Sequence, residues 1–225
     1  MIRISQLSKS YGPLPVLHDI DLTFERGKVY GIVGENGAGK TTLFRCVAGL
    51  ETYEGSVVSD ASPLKNHLGF LPADPFFFPK ITGEEYVRLM CRARSVEIGD
   101  LEKQNIFELP LNRYAAEYST GMKKKLAILA ILLQKNDYLI LDEPFNGVDI
   151  QSNVLISGII RALKEKGKII WLSSHIFSTL QDTCDEIHLL KDGRIVHSAQ
   201  REGFAALEAE MRVSIVGDKI GRLEL

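Results

Sequence analysis

One stretch of nine residues, Gly34-Glu35-Asn36-Gly37-Ala38-Gly39-Lys40-Thr41-Thr42, constrains this chain more than any other. It fits G-x-x-x-x-G-K-[ST], a loop whose bare backbone N–H groups wrap a polyphosphate. Such a loop demands glycine: Gly34, Gly37 and Gly39 can take backbone angles closed to other residues and carry no Cβ to hold an anion away. Lys40 supplies a point charge for the terminal phosphates, and the Thr41 hydroxyl suits Mg²⁺. A helix starting near Lys40 aims its positive end at the anion. The flanks agree. Lys28-Val29-Tyr30-Gly31-Ile32-Val33 reads as a buried strand, and Thr41 to Ala48 as a helix stopped at Gly49. Strand, loop and helix in that order are the setting in which the motif carries chemistry. The residues Gly34 to Thr42 therefore imply a site for a nucleoside triphosphate with Mg²⁺.

Bulk properties narrow the class. At 225 residues the chain is long enough for one substantial core. A formal charge of −2 gives no electrostatic basis for nucleic-acid binding. Cys46, Cys91 and Cys184 are scattered without C-x-x-C spacing and read as reduced, mostly buried thiols. Met1 to Gln6 holds no apolar h-region, so no secretion leader is expected. The longest apolar run, Leu126 to Leu133, is too short to cross a bilayer. A membrane role would have to run through a partner.

The patterning points to an α/β fold. Ile2 and Ile4, then Ile20, Leu22 and Phe24, alternate with polar neighbours, as in antiparallel strands with one wet face. Later, buried strands over Tyr138 to Leu141 and Ile169 to Leu172 flank a helix over about 150–165, the signature of a parallel sheet. The region from about 83 to 133 reads as almost wholly helical. Its clearest helices are Glu84 to Arg94 and Thr120 to Gln134, the second apolar on most sides and so expected to be buried. Strands around Ile187 to Leu190 and Arg194 to Val196 meet at an Asp192-Gly193 turn. The expected architecture is a mostly parallel core with an N-terminal antiparallel β subdomain (about 1–78 and 134–208). A helical subdomain over about 79–133 is inserted, and 209–225 form a tail of unclear structure.

Three expected strands end in polar groups: the phosphate loop after Val33, Asp142-Glu143 after Leu141, and Ser173-Ser174-His175 after Leu172. Ligands of open α/β sheets lie beyond the carboxyl ends of the strands, so all three can converge on one triphosphate. Asp142 suits a Mg²⁺ contact. Glu143, one residue on, is placed to polarise an attacking water. His175 is placed to hydrogen-bond the γ-phosphate and steady that water. Ser119 is a good helix N-cap, and Gly121 leaves backbone N–H groups open, giving a second anion-binding helix start. Lys123, Lys124 and Lys125 read as a solvated helix face.

Taken in order, these motifs resemble the ATP-binding subunit of an ABC transporter over about residues 2–200. Tyr118-Ser119-Thr120-Gly121-Met122 is similar to the Y-S-T-G-M form of the L-S-G-G-Q signature found in exporter-type members. The resemblance implies a P-loop nucleoside-triphosphatase core. It implies that Tyr11 stacks on adenine with Val16 nearby, and that Asn146 to Asp149 is the D-loop, with Asp149 its acid. It also implies head-to-tail pairing with a second copy or related subunit around two ATP molecules. Ser119 and Gly121 would then contact the γ-phosphate held by the other subunit's Gly37, Lys40 and Thr41. Hydrolysis would drive transport, export by the signature variant, through a separate transmembrane permease, placing the chain in the cytoplasm at the inner face of the membrane. The family's glutamine at the loop joining core and helical subdomain falls at Ala73, with Asp74 beside it as an alternative Mg²⁺ contact. The stretch from Ala73 to Ser119 is short for the family. Phe76-Phe77-Phe78 cannot all face one core in an extended segment, which suggests a docking surface for the membrane partner. The alternative is a soluble ABC-type ATPase acting on nucleic acid or ribosomes. The near-neutral charge and the absence of a second ATP-binding half, coiled coil or added arm speak against it, and no nucleic-acid partner is expected. Gln134 to Asp137 is not the guanine-reading N-K-x-D pattern.

Overall fold

A computed structural model describes residues 1–211. From residue 212 onward, the expected tail lies outside the described residues. The first two strands, β1 (Ile2–Tyr11) and β2 (Leu14–Phe24), pair antiparallel. Ile2, Ile4, Leu7, Ile20, Leu22 and Phe24 are buried, while Arg3, Asp21 and Thr23 face solvent. The sequence alternation is the cause, since successive side chains of a strand point to opposite faces. The strand β3 (Lys28–Val33) leads through the phosphate loop into helix α1 (Lys40–Val47). Next, β4 (Glu54–Ser59) pairs with β1 and completes a three-stranded antiparallel sheet in the order β2-β1-β4.

The second sheet carries the site. It contains β3, β5 (Leu68–Leu71), β6 (Tyr138–Leu141), β7 (Ile169–Ser174), β8 (Glu186–Lys191) and β9 (Arg194–Gln200), in the order β5-β6-β7-β3-β8-β9. All pairs are parallel except the closing hairpin β8-β9, which turns at Asp192 and Gly193 with φ of 47° and 72°. Helix α5 (Ile150–Glu165) makes the right-length crossover between β6 and β7. Because the parallel strands are buried on both faces, their residues divide between two cores. Tyr30, Ile32, Ile140 and Trp171 pack against α1 and the first sheet. Val29, Val33, Leu141, Ile170 and Leu172 pack against α4 (Thr120–Leu133), α5 and α6 (Phe177–Gln181). The chain's described part closes with a helix over 204–211. No helix among the described residues is long and apolar enough to cross a membrane.

Two expectations change. The strand β7 runs through Ser174, so Ser173 and Ser174 lie inside it and not beyond its end. The region from 83 to 133 is less helical than its composition suggests. Between α2 (Gly83–Arg92) and α4 there are only the short α3 (Leu101–Gln104) and a turn at Ala115–Glu117. Ser95 and Glu108 take left-handed φ of 53° and 51°, which breaks the helical path. Tyr118 Oη instead donates to the Pro110 carbonyl at 2.7 Å and ties the irregular chain to the start of α4. Thr82 caps α2: its hydroxyl accepts from the Glu85 N–H at 3.2 Å, and the Glu85 carboxylate accepts from the Thr82 N–H at 2.8 Å. Thr82→Ala should cost about 1 kcal/mol and lower the thermal midpoint by roughly 2–4 °C. Thermal unfolding followed by circular dichroism checks this; an unchanged midpoint would contradict the capping role.

Candidate functional site

The phosphate loop is shaped by two different requirements on glycine. Gly37 and Gly39 take left-handed φ of 87° and 108°, which an L side chain rarely adopts. Gly34 is needed for close approach instead: a Cβ there would lie 2.2 Å from the Leu190 carbonyl oxygen of β8. That corrects the expectation that Gly34 is chosen for its backbone angle. Gly39 occupies the N-cap of α1, and no acid sits in the first turn, so the helix end stays positive. Lys40, only 7% exposed, donates to the Gly34 and Glu35 carbonyls at 2.8 and 3.0 Å. Burial pushes its pKa down, and the charges of Glu143 and Asp142 push it back up.

Across the cleft stand the acids. Asp142 is buried and accepts from the Thr41 hydroxyl at 2.7 Å and from the Ser173 hydroxyl. Sheet register explains the second bond, because Leu141 pairs with Leu172 and the next residues, Asp142 and Ser173, are neighbours. Ser173 Oγ also accepts from the Glu143 N–H at 2.9 Å. Glu143 then takes a left-handed φ of 50°, a conformation that costs energy for a residue with a side chain. His175 Nδ1 lies 3.0 Å from Glu143 Oε2. The imidazole thus holds the acid directly, a contact the sequence reading did not anticipate.

A cleft of about 280 Å³ is lined by Val16, Asn36, Gly37, Gly39, Lys40, Thr41, Thr42, Ala73, Asp142 and Glu143. Gly34, Glu35 and Ala38 shape the loop behind it. Ala73, not Asp74, lines the wall. Tyr11 lies outside the lining, its ring half exposed over the Lys9 ammonium at 4.6 Å. The hydroxyl of Thr41 and the carboxylate of Asp142 are hard oxygen donors already in contact, a pair that fits Mg²⁺ better than any softer ion.

Ser119 caps α4 as expected, accepting from the Met122 N–H at 3.2 Å. Gly121 is packed so tightly that a Cβ would meet the Gly147 carbonyl oxygen at 2.7 Å. Neither Ser119 nor Gly121 lines the cleft of its own chain. Asp149 caps α5, accepting from the Ser152 N–H at 2.9 Å, and pairs with Lys125 at 3.1 Å. Those contacts, the Ser152 N–H first, hold its carboxyl well below the usual carboxylate range. The lysine run needs correction: Lys124 is buried, with its ammonium on the Ala73 carbonyl, and is no part of a solvated face. The signal was present, since α4 is apolar on most sides and has little room for a wet stripe. Ser173 was read only as part of a polar strand end, and its bridging of Asp142 and Glu143 was missed.

Comparison with known proteins agrees with this geometry. A family model described as "ABC transporter" matches residues 17–146. The ABC transporter ATP-binding protein NatA of Bacillus subtilis is 32% identical, over 84% of this chain and 83% of its own length. The lantibiotic transport ATP-binding protein SrtF of Streptococcus pyogenes is 28% identical over 97% of this chain and 99% of its own. A solved ATP-binding subunit of an ABC transporter superposes with a TM-score of 0.81 at 26% identity, covering 93% of each chain.

Ser173→Ala would leave the Glu143 N–H without its partner and the Asp142 carboxylate one donor short. It should cost about 1–3 kcal/mol of stability and lower turnover more than nucleotide affinity. Urea unfolding beside nucleotide titration checks both; stability equal to the unsubstituted chain would contradict the bridge.

Proposed function

The chain belongs to the ATP-binding subunits of ABC transporters, and from that premise we propose that it binds MgATP, pairs with a second copy or a related subunit around two ATP molecules, and hydrolyses them to drive export through a separate transmembrane permease. The observation that carries the reading is the contact of Thr41 and Asp142 at the foot of the phosphate loop, with Glu143 held by His175 beside it. Gly34 to Thr42 cradle the phosphates, Lys40 neutralises their charge, and Tyr11 with Val16 receives the adenine. Thr41 and Asp142 would hold Mg²⁺, which when bound draws charge from the phosphate oxygens. Asp74 remains a candidate for an added contact through water.

Glu143 is the general base. Its carboxylate accepts the proton of the attacking water, and His175 fixes its direction through Nδ1, leaving Nε2 for the γ-phosphate. The pairing of subunits is supported by Ser119 and Gly121: an open helix start that serves no anion in its own chain fits one held by another. Exposed apolar side chains beside these loops support it too. Ile150, 82% exposed, Val154 and Ile176 flank Asp149 and His175, and such a patch is ordinarily covered by a partner. A ligand that binds only the closed pair shifts the population toward closure.

The permease contact is assigned to the loop after β5. Phe77 packs on Tyr86 at 4.6 Å, whereas Phe76 and Phe78 form an edge-to-face pair that is 73% and 56% exposed. The export direction is supported by the Y-S-T-G-M signature. Around this contact, residues 79–133 would move as the helical subdomain against the core of 1–78 and 134–208.

Glu143→Gln should keep MgATP affinity and lower turnover by roughly 10²–10⁴; unchanged turnover would remove the assigned role. Replacing Phe76 and Phe78 together with serine should abolish co-purification with the permease while the isolated subunit keeps its ATPase rate. Retained co-purification would refute the docking assignment.

A further inference from the structure

Burying a lysine is costly, because its ammonium loses its water. Lys124 is nonetheless only 2% exposed. Its hydrogen-bond partner is the Ala73 carbonyl, a neutral acceptor. Ala73 lines the nucleotide cleft beside Asp142 and Glu143. We propose that Lys124 is a positioning residue for hydrolysis: its buried ammonium fastens the first turn of α4, which carries Ser119 and Gly121, to the wall of the cleft that holds the acids.

Burial lowers the pKa of Lys124, and Asp142, Glu143 and Asp74 raise it, so the ammonium lies within the field of the acids it would position. Position 73 is alanine and offers no polar side chain toward the cleft. The polar link is made from the opposite side, by α4. Lys125, next in sequence, reaches Asp149 at 3.1 Å and Ser152 at 3.3 Å. On the same turn Gly121 backs onto Gly147 without room for a Cβ. The first turn of α4 is therefore held against the cleft wall on one side and the 146–149 loop on the other. An anion that engages Ser119 and Gly121 pulls on that turn, and through Lys124 the pull reaches the backbone beside the acids.

This inference rests on the proposed function, and the experiment separates the two. Steady-state MgATP hydrolysis and binding of a fluorescent ATP analogue are measured for the full chain and for Lys124→Met and Lys124→Arg. The Met variant keeps the length of the apolar stem without donor or charge. Its kcat should fall at least about tenfold, the scale of a small misplacement of reacting groups. KM and analogue affinity should stay within about twofold of the unsubstituted chain. The Arg variant should recover kcat to within about threefold of the unsubstituted chain. Wild-type kcat in Lys124→Met overturns the assignment, as does a loss shared equally by kcat and affinity without rescue by Arg. Should the Met variant not fold, Lys124→Gln, with a neutral donor, is measured under the same split; failure of both to fold overturns the assignment by making Lys124 a residue of folding alone. No turnover in the unsubstituted chain refutes the proposed function and this inference with it, whereas turnover there with an unchanged kcat in Lys124→Met refutes only this inference.

Discussion

Everything at the site depends on β7 lying between β3 and β6 in parallel register. That arrangement brings the phosphate loop, the acid pair and His175 to one edge of the sheet, where the strands present their carboxyl ends. It also sets Ser173 beside Asp142, since Leu172 pairs with Leu141. A slip of one residue would turn the Ser173 hydroxyl to the opposite face, because side chains alternate along a strand. Asp142 would then lose one of its two hydroxyl donors and Glu143 the anchor of its backbone. The hydrogen-bonded chain from Thr41 through Asp142 and Ser173 to Glu143 is thus a product of strand pairing, built before any ligand contact is considered.

The electrostatics follow from the same placement. Of the buried lysines, Lys40 and Lys124 both feel the charges of Asp142 and Glu143. One lies on the phosphate-loop side of the acids and the other on the side of α4. With the positive start of α1, they let two adjacent carboxylates stand beside a site made for an anion. Glu143 adds a left-handed backbone, an energetic cost placed where the acid meets His175 and the Ser173 hydroxyl.

How much of this was legible in the sequence depends on whether a residue's task is local. The phosphate loop was, because Gly37 and Gly39 answer to their own backbone angles and Lys40 to the helix it begins. The alternating strands and the Asp192-Gly193 hairpin were legible for the same reason, as was the cap at Ser119, whereas the capping box at Thr82 came only with the structure. Ser173 was legible only as a polar residue at a strand end, since its bonds come from register with a strand about thirty residues away, a tertiary fact. Gly34 was read as needing no Cβ for close approach, but the neighbour that forbids a Cβ is Leu190, on another strand. Lys124 was misread because a run of lysines normally lies in water; the apolar character of α4 argued against that, but its partner, the Ala73 carbonyl, is a tertiary fact. The irregular stretch before Tyr118 read as helical because its composition permits helix, while left-handed Ser95 and Glu108 break it.

The central claim is that one chain builds the acid half of the site and a second chain completes it with a serine-capped helix start. Its most direct test is the solution mass of the chain by light scattering, with hydrolysis disabled at Glu143 and MgATP saturating, beside the same chain also bearing Ser119→Glu. The account predicts close to twice the 25.1 kDa of one chain for the first and a single chain for the second. A single-chain mass for the first, or a doubled mass indifferent to Ser119→Glu, would contradict it.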